Sequence, residues 1–243
     1  MPPAVAELWA LMPGMGEIAL LVPAFVTLSA AYLHFAGWLK RERGWRTGYT
    51  RKVFHLLVFT TATSVQATLG LPALFVFGAS TSLIIFYALL QGDGNVLYEA
   101  MARETDAPRR SHYIVAPYLA TLAGGLLSNL LFGADALCGY LVAGLGDAVG
   151  EPVGVRFGRH RYRVPSFGVP SQRSWEGSAA VFGVSVLAAA AAQALLRPMG
   201  ISAAAVLVIA AAAALVEALS PHGWDNLTMQ LVPAGLCWVT GNW

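Results

Sequence analysis

Charge is scarce in this sequence: of 243 residues only 12% are Asp, Glu, Lys or Arg, while 57% are hydrophobic. A soluble domain of this length cannot bury so much apolar surface, so the composition excludes an ordinary water-soluble globule and turns the surplus toward lipid. Cysteine is scarcer still. Cys138 and Cys237 lie far apart in apolar stretches with no CxxC spacing, and both read as packing residues. No Lys or Arg precedes the first apolar run in Met1–Gly16, so the cationic start of a cleavable signal peptide is missing and the first span is expected to stay in the mature protein. A net charge of +2 gives no footing for a nucleic-acid partner. The chain's lysines are Lys40 and Lys52, both in a connection, which excludes a retinal-type lysine within a helix.

What is present is a succession of apolar runs. A crossing helix needs about 20 mostly apolar residues, and the runs predict spans near 17–39, 53–69, 71–90, 113–131, 134–150, 177–197, 201–219 and 227–243. The expected fold is an all-α, polytopic integral membrane bundle of seven or eight transmembrane helices, forming one domain over 1–243. Gly70 with Pro72, Gly133, and Pro198 with Gly200 are breakers expected to turn the chain back within a few residues. No strong internal repeat is visible. The Ala-rich stretches 188–192 and 210–214 fit close packing between helices.

Three longer connections remain, Lys40–Lys52, Gln91–His112 and Asp147–Glu176, and they hold every Lys and Arg except Arg197. Short loops rich in Lys and Arg stay in the cytoplasm. All three are therefore expected on the cytoplasmic side of an inner or cytoplasmic membrane, joined there by the turn Pro221–Asn226. Eight spans would leave both termini outside.

The most unusual segment is Gly144–Ser178, where an apolar span runs into Asp147, Glu151 and five arginines. Asp147 and Glu151 are four apart, so a continuing helix puts both carboxylates on one face, where they can share a divalent cation. Pro152 disfavours helical geometry at Glu151, and the span is expected to kink or end there. Gly146, Gly150, Gly154 and Gly158 repeat every four residues, which fits either a smooth helix-packing face or backbone amides approaching a phosphate chain. Arg156, Arg159, Arg161 and Arg163 are either anchors against anionic headgroups or phosphate ligands. In Arg173-Ser174-Trp175-Glu176-Gly177-Ser178, Ser174 suits a helix N-cap, yet the same helix start suits a phosphate.

Two further clusters stand out. Arg51-Lys52-Val53-Phe54-His55 opens the second span, and the four-residue spacing puts Arg51 and His55 on one face; His55 reads either as a packing residue or as a site residue. Glu217, Asp225 and Asn226 form the other. Ionisable residues at membrane depth point to function, while Asp225 and Asn226 also suit a simple turn.

Together RKVFH at 51–55, GDAVGEPVGVRFG at 146–158, RSWEGS at 173–178 and DNLT at 225–228 resemble the CTP-dependent lipid-alcohol kinases. That family includes dolichol kinase, phytol kinase and the yeast-type diacylglycerol kinase and is related to the phosphatidate cytidylyltransferases; the resemblance covers roughly 45–235. It implies a cytoplasm-facing site, within a catalytic loop at about 147–176, where CTP and Mg²⁺ or another hard cation meet a membrane-dissolved alcohol. Asp147 is then the catalytic or metal carboxylate, with Glu151 beside it. Asp225 and His55 lie close by as catalytic candidates. Gly146, Gly150, Gly154, Arg156 and Arg159 join Arg173, Ser174, Glu176, Gly177 and Ser178 at the nucleotide, with Arg51, Lys52, Glu217 and Asn226 around them. Where the family usually has Lys before the Ser of its KSxEGS-like motif, this chain has Arg173, which keeps the charge and changes its geometry.

The expected activity is transfer of the terminal phosphoryl group of CTP to a prenol- or phytol-like alcohol. A cytidylyltransferase acting on a lipid phosphate is the related alternative, although HGWDN at 222–226 is only a partial echo of its C-terminal signature. A transporter would place its paired charges at the bilayer midplane, whereas these clusters sit at span ends on one side.

Overall fold

The computed structural model describes residues 13–164, 171–197, 200–221 and 223–241. Pro198, His222, the tip of the 147–176 segment at 165–170 and the start of the chain at 1–12 lie outside them.

The first helix, α1 (Met15–Arg43), starts where the Gly14 N–H is satisfied by the Glu17 carboxylate at 2.8 Å and ends at Gly44, whose left-handed conformation (φ 65°) lets its N–H reach Leu39 O. Lys40, Arg41 and Arg43 complement the negative end of its dipole. The next helix, α2 (Thr47–Gln91), is formally 45 residues long but breaks at Gly70, where φ is 84°. The break is a reversal. Ser29 and Tyr32, one turn apart on α1, hydrogen-bond Thr81 and Thr61, each at 2.9 Å. A straight helix would hold those threonines about 30 Å apart, so the chain doubles back at Gly70, as the sequence predicts. A connection bearing the short helix α3 (Val96–Glu99) follows and is held against α1 and α2. Lys40 pairs with Glu99 at 2.9 Å and Glu104 at 2.7 Å, and Thr50 donates to Ala100 O at 2.8 Å. Hydrogen bonds from Arg110, and then from Lys40, hold the Glu99 carboxyl down at about 2.

Helix α4 (His112–Phe132) turns at Gly133 through a short 3-10 segment into α5 (Ala136–Phe157). After a two-stranded antiparallel hairpin, β1 (Arg161–Val164) with β2 (Ser171–Ser174), come α6 (Trp175–Leu196), α7 (Ala203–Leu219) and α8 (Asp225–Gly241). α5 runs through the middle of the bundle. Gly139 and Gly144 let its neighbours come close: an added Cβ would lie 2.2 Å from Gln230 O on α8 and 2.5 Å from Phe59 Cβ on α2. Ala188, Ala189 and Ala192 on α6 and Ala210 and Ala213 on α7 are wholly buried, as expected of small residues at a tight helix interface.

Among the described residues four helical stretches are long and apolar enough to cross a membrane: Met15–Arg43, Thr47–Gln91, His112–Phe157 and Trp175–Leu196. Ala203–Leu219 is apolar but shorter, at 17 residues. Large side chains such as Leu83, Phe86, Leu130, Leu187 and Leu215 face outward, the surface of a protein whose outer solvent is lipid.

Three expectations are corrected. Lys40 and Lys52 lie not in a connection but in the last turn of α1 and the first turns of α2. The segment after Asp147 is not a loop. α5 continues past Pro152 to Phe157, and Glu151 is held there by an ion pair with Arg103 at 2.6 Å. The fold is also not purely helical, since residues 161–174 form the β-hairpin, paired Arg161 with Ser174 through Val164 with Ser171.

Candidate active site

Residues from distant parts of the chain meet at one end of the bundle around a polar cavity of about 260 Å³. The first turns of α2 supply Arg51, Lys52 and His55, and the last turns of α5 supply Asp147, Gly150, Glu151 and Gly154. From the hairpin come Arg161, Gln172, Arg173 and Ser174; α6 opens onto it with Gly177 and Ser178. Glu217 ends α7 into the cavity, and Asp225 and Asn226 begin α8 there. Arg103 and Pro117 complete the wall.

Two ionic groups organise the cavity. Lys52 Nζ donates to both oxygens of Asp147, at 2.7 and 2.6 Å, and stands 3.9 Å from Glu151, so the two carboxylates share a helix face as their spacing predicts. Opposite, Arg173 divides its fork between Glu217 at 2.6 Å and Asp225 at 3.0 Å. Burial opposes the Arg173 charge, but the Glu217 and Asp225 carboxylates outweigh it and raise its pKa above the ordinary guanidinium value. A lysine ammonium has no such planar fork.

Arg51 is different. It lines the cavity, yet no ion pair or hydrogen bond engages its guanidinium among the described residues, and its Nη1 is buried without a partner. A buried, unpaired cation is costly. Such a group belongs at a place where an anionic ligand completes the pairing.

His55 Nε2 lies 3.2 Å from Ala143 O and 3.5 Å from Asp147 Oδ2. A carbonyl oxygen only accepts, so Nε2 carries the hydrogen and Nδ1 of the neutral ring keeps its lone pair. Asn226 donates to Pro117 O at 3.2 Å and lies 2.9 Å from Thr121 Oγ1, tying α8 to α4.

A second cavity adjoins the first. At about 490 Å³ it is walled mainly by apolar side chains, among them Phe54, Val58, Phe77, Ile85, Leu122 and Leu126, between the two arms of α2 on one side and α4 on the other. Arg51, His55, Pro117 and Asn226 line both cavities. They mark a junction where a polar chamber opens into an apolar one.

Gly146, Arg156, Arg159 and Glu176 lie away from the cavity. Gly146 packs on α6 and α8, where an added Cβ would stand 2.8 Å from Ser185 Oγ and 3.2 Å from Met229. Arg156 is exposed, its guanidinium 5.5 Å from the Phe157 ring centre, and Arg159 is exposed as well. Glu176 turns outward to His160 at 2.8 Å. Ser174 is the N-cap of α6, accepting from the Gly177 N–H at 3.1 Å, and it also lines the cavity. The glycine row packs α5 on α6: a Cβ on Gly177 would stand 2.8 Å from Gly150 O. Gly177→Ala is therefore expected to push α6 off α5 and destabilise the protein by about 1–3 kcal/mol, read as a lower Tm. Sequence reasoning passed over Arg103 and Gln172, and it assigned Arg156 and Arg159 but not Arg161 to the nucleotide; of the arginines at 156, 159, 161 and 163, Arg161, in the hairpin, is the one that lines the cavity.

Among the described residues no group of three or more His, Cys, Asp or Glu side chains is close enough to hold a metal ion unaided. Asp147 and Glu151 nevertheless share one helix face, with oxygens engaged by Lys52 and Arg103 that a divalent cation would have to displace. Two carboxylates completed by phosphate oxygens and water are the set that Mg²⁺ usually accepts.

The chain is 35% identical to a phytol kinase of Synechocystis sp. over 123 residues, 49% of this chain and 50% of that one, so the match spans about half the length of that curated relative. No family model and no solved structure matches the chain.

Proposed function

We propose that the protein is a lipid-alcohol kinase that moves the terminal phosphoryl group of CTP to a prenol- or phytol-like alcohol. The observation that carries this reading is the junction of the two cavities, where the unpaired Arg51 stands between a chamber of arginines and carboxylates and an apolar groove. The likeness to a phytol kinase supports it, and the donor follows from the resemblance of the four sequence motifs to the CTP-dependent family. The helices form eight crossings, with α2 supplying two and α7 and α8 supplying the short ones. The arginine-rich end, and the site with it, faces the cytoplasm of an inner or cytoplasmic membrane.

At about 260 Å³ the polar cavity is smaller than the pockets of roughly 300–1,000 Å³ that enclose drug-sized ligands. It accommodates the phosphate chain, held by Arg51, Arg103, Arg161 and Arg173, rather than the whole nucleotide. A hard divalent cation, Mg²⁺ first, would sit against Asp147 and Glu151 and neutralise phosphate charge. The alcohol tail lies in the apolar groove with its hydroxyl at Arg51 and His55. The hydroxyl oxygen forms a bond to the terminal phosphorus as the bond from that phosphorus to the bridging oxygen breaks. CDP leaves with that electron pair, and His55 Nδ1 takes the hydroxyl proton.

Purified protein given CTP, ATP or GTP in turn, with Mg²⁺ and a panel of lipid alcohols, tests the donor. CDP release that depends on the alcohol is expected; equal use of all three nucleotides would remove CTP from the assignment.

A further inference from the structure

The apolar groove ends on a polar floor. Gln66 donates to Asn129 Oδ1 at 2.8 Å, across the gap between α2 and α4. The Asn129 amide donates to Gly125 O at 2.9 Å and to the Tyr140 hydroxyl, which itself donates to Gly125 O at 3.2 Å. Asn129 and Tyr140 line the groove at the end away from the charged chamber, and Tyr140 is only 4% exposed. One turn above Gln66 sits Ala62, also on the wall.

From Pro117 at the junction to Asn129 at the floor is 12 residues of α4, about 18 Å. That is close to one leaflet, half of a hydrocarbon core about 30 Å thick. Nothing in the walls of the groove asks for a polar group along its length. The floor is different: Gln66 Nε2, the Asn129 amide and the Tyr140 hydroxyl are paired with one another and with Gly125 O, Gln66 Oε1 is buried without a partner among the described residues, and a hydrocarbon end pushed between them would separate buried partners without replacing them.

We infer that the hydrogen-bonded floor Gln66–Asn129–Tyr140 sets the tail length of the alcohol, selecting a single-chain alcohol whose tail fills about one leaflet over a polyprenol many times longer. This rests on the kinase reading for the word substrate, but the groove and its floor are testable without turnover. A tail inside the groove leaves one apolar medium for another, so added methylenes gain little from burial. Length is then discriminated by overpacking at the hydrogen-bonded floor.

The test uses the full-length protein in nanodiscs of fixed lipid composition. Straight-chain primary alcohols of about 10 to about 30 carbons, tails from under one leaflet to well over it, are the probes. Retention of each by the protein, without nucleotide, is read by native mass spectrometry. Retention is expected to fall about tenfold once the tail outgrows the groove. Asn129→Ala, which opens the floor, shifts that fall to tails several carbons longer, and Ala62→Leu, which fills the groove just above it, shifts it to shorter ones. The same length limit in all three proteins, or no limit, would overturn the inference, and because the two variants move the limit in opposite directions a general loss of fold cannot imitate the result. Limits that move as expected in a protein that phosphorylates no alcohol would uphold the floor and remove the kinase reading.

Discussion

Replacing Asp147 by asparagine is expected to lower turnover by about 10³-fold, the range lost with a charge-bearing group at a reacting centre. Asp147 is buried, both its oxygens accept from Lys52, and His55 stands 3.5 Å away. In the proposed mechanism it thus fixes two of the residues bordering the reacting phosphoryl group and supplies negative charge for a cation. The amide keeps the shape and one acceptor but loses the charge. Lys52 is left with Glu151, at 3.9 Å, as its nearest carboxylate, and hydrogen bonds to charged groups contribute about 1.5–3 kcal/mol. A drop of about 2 kcal/mol in stability, with helical content unchanged, should therefore accompany the lost turnover. Circular dichroism and a melting curve beside the kinase assay read both, and activity within a few fold of wild type would remove Asp147 from the mechanism.

Arg51→Met should behave in the opposite way on stability. The arginine side chain carries its charge into the wall between the two cavities, its Nη1 buried without a partner among the described residues. Exchanging it for an apolar chain of similar length relieves that burial, so the melting temperature is expected to rise. Activity is expected to fall by about 10²-fold or more, because in the proposed mechanism the guanidinium is aimed at the transferring phosphate, where it would be worth several kcal/mol. A residue that weakens the fold and serves the reaction is the signature of a functional site. A variant that melts lower and keeps its activity would show that Arg51 is structural.

Much of this arrangement was legible in the sequence because it follows from local chemistry. Gly70 with Pro72 and Gly133 reverse the chain where breakers interrupt apolar runs. The four-residue spacing of Asp147 and Glu151 puts both beside Lys52. The glycine row at the same spacing resolved in favour of packing, with Gly150 and Gly154 serving the wall as well. What escaped depends on contacts far apart in the chain. Pro152 looked like a stop, yet the Arg103 pairing with Glu151 comes from a connection 48 residues upstream. Arg103 itself was legible only as a marker of orientation. Likewise, nothing local separates Arg161 from Arg156 and Arg159: Arg161 faces the cavity because β1 pairs with β2, while Arg156 is carried on the last turn of α5. The apolar groove was invisible for the same reason: its walls come from α2, α4, α5 and α8, each of which reads alone as an ordinary span.

The most direct test of the central claim follows the label of CTP into lipid. Protein in nanodiscs is incubated with Mg²⁺, a phytol-like alcohol and CTP labelled either at the terminal or at the first phosphorus, and the lipid and nucleotide products are separated. Label from the terminal phosphorus should appear in a lipid monophosphate, with an equal amount of CDP, while label from the first phosphorus stays in CDP. Label from the first phosphorus in the lipid, with pyrophosphate released, or no label in lipid from either donor, would contradict the account.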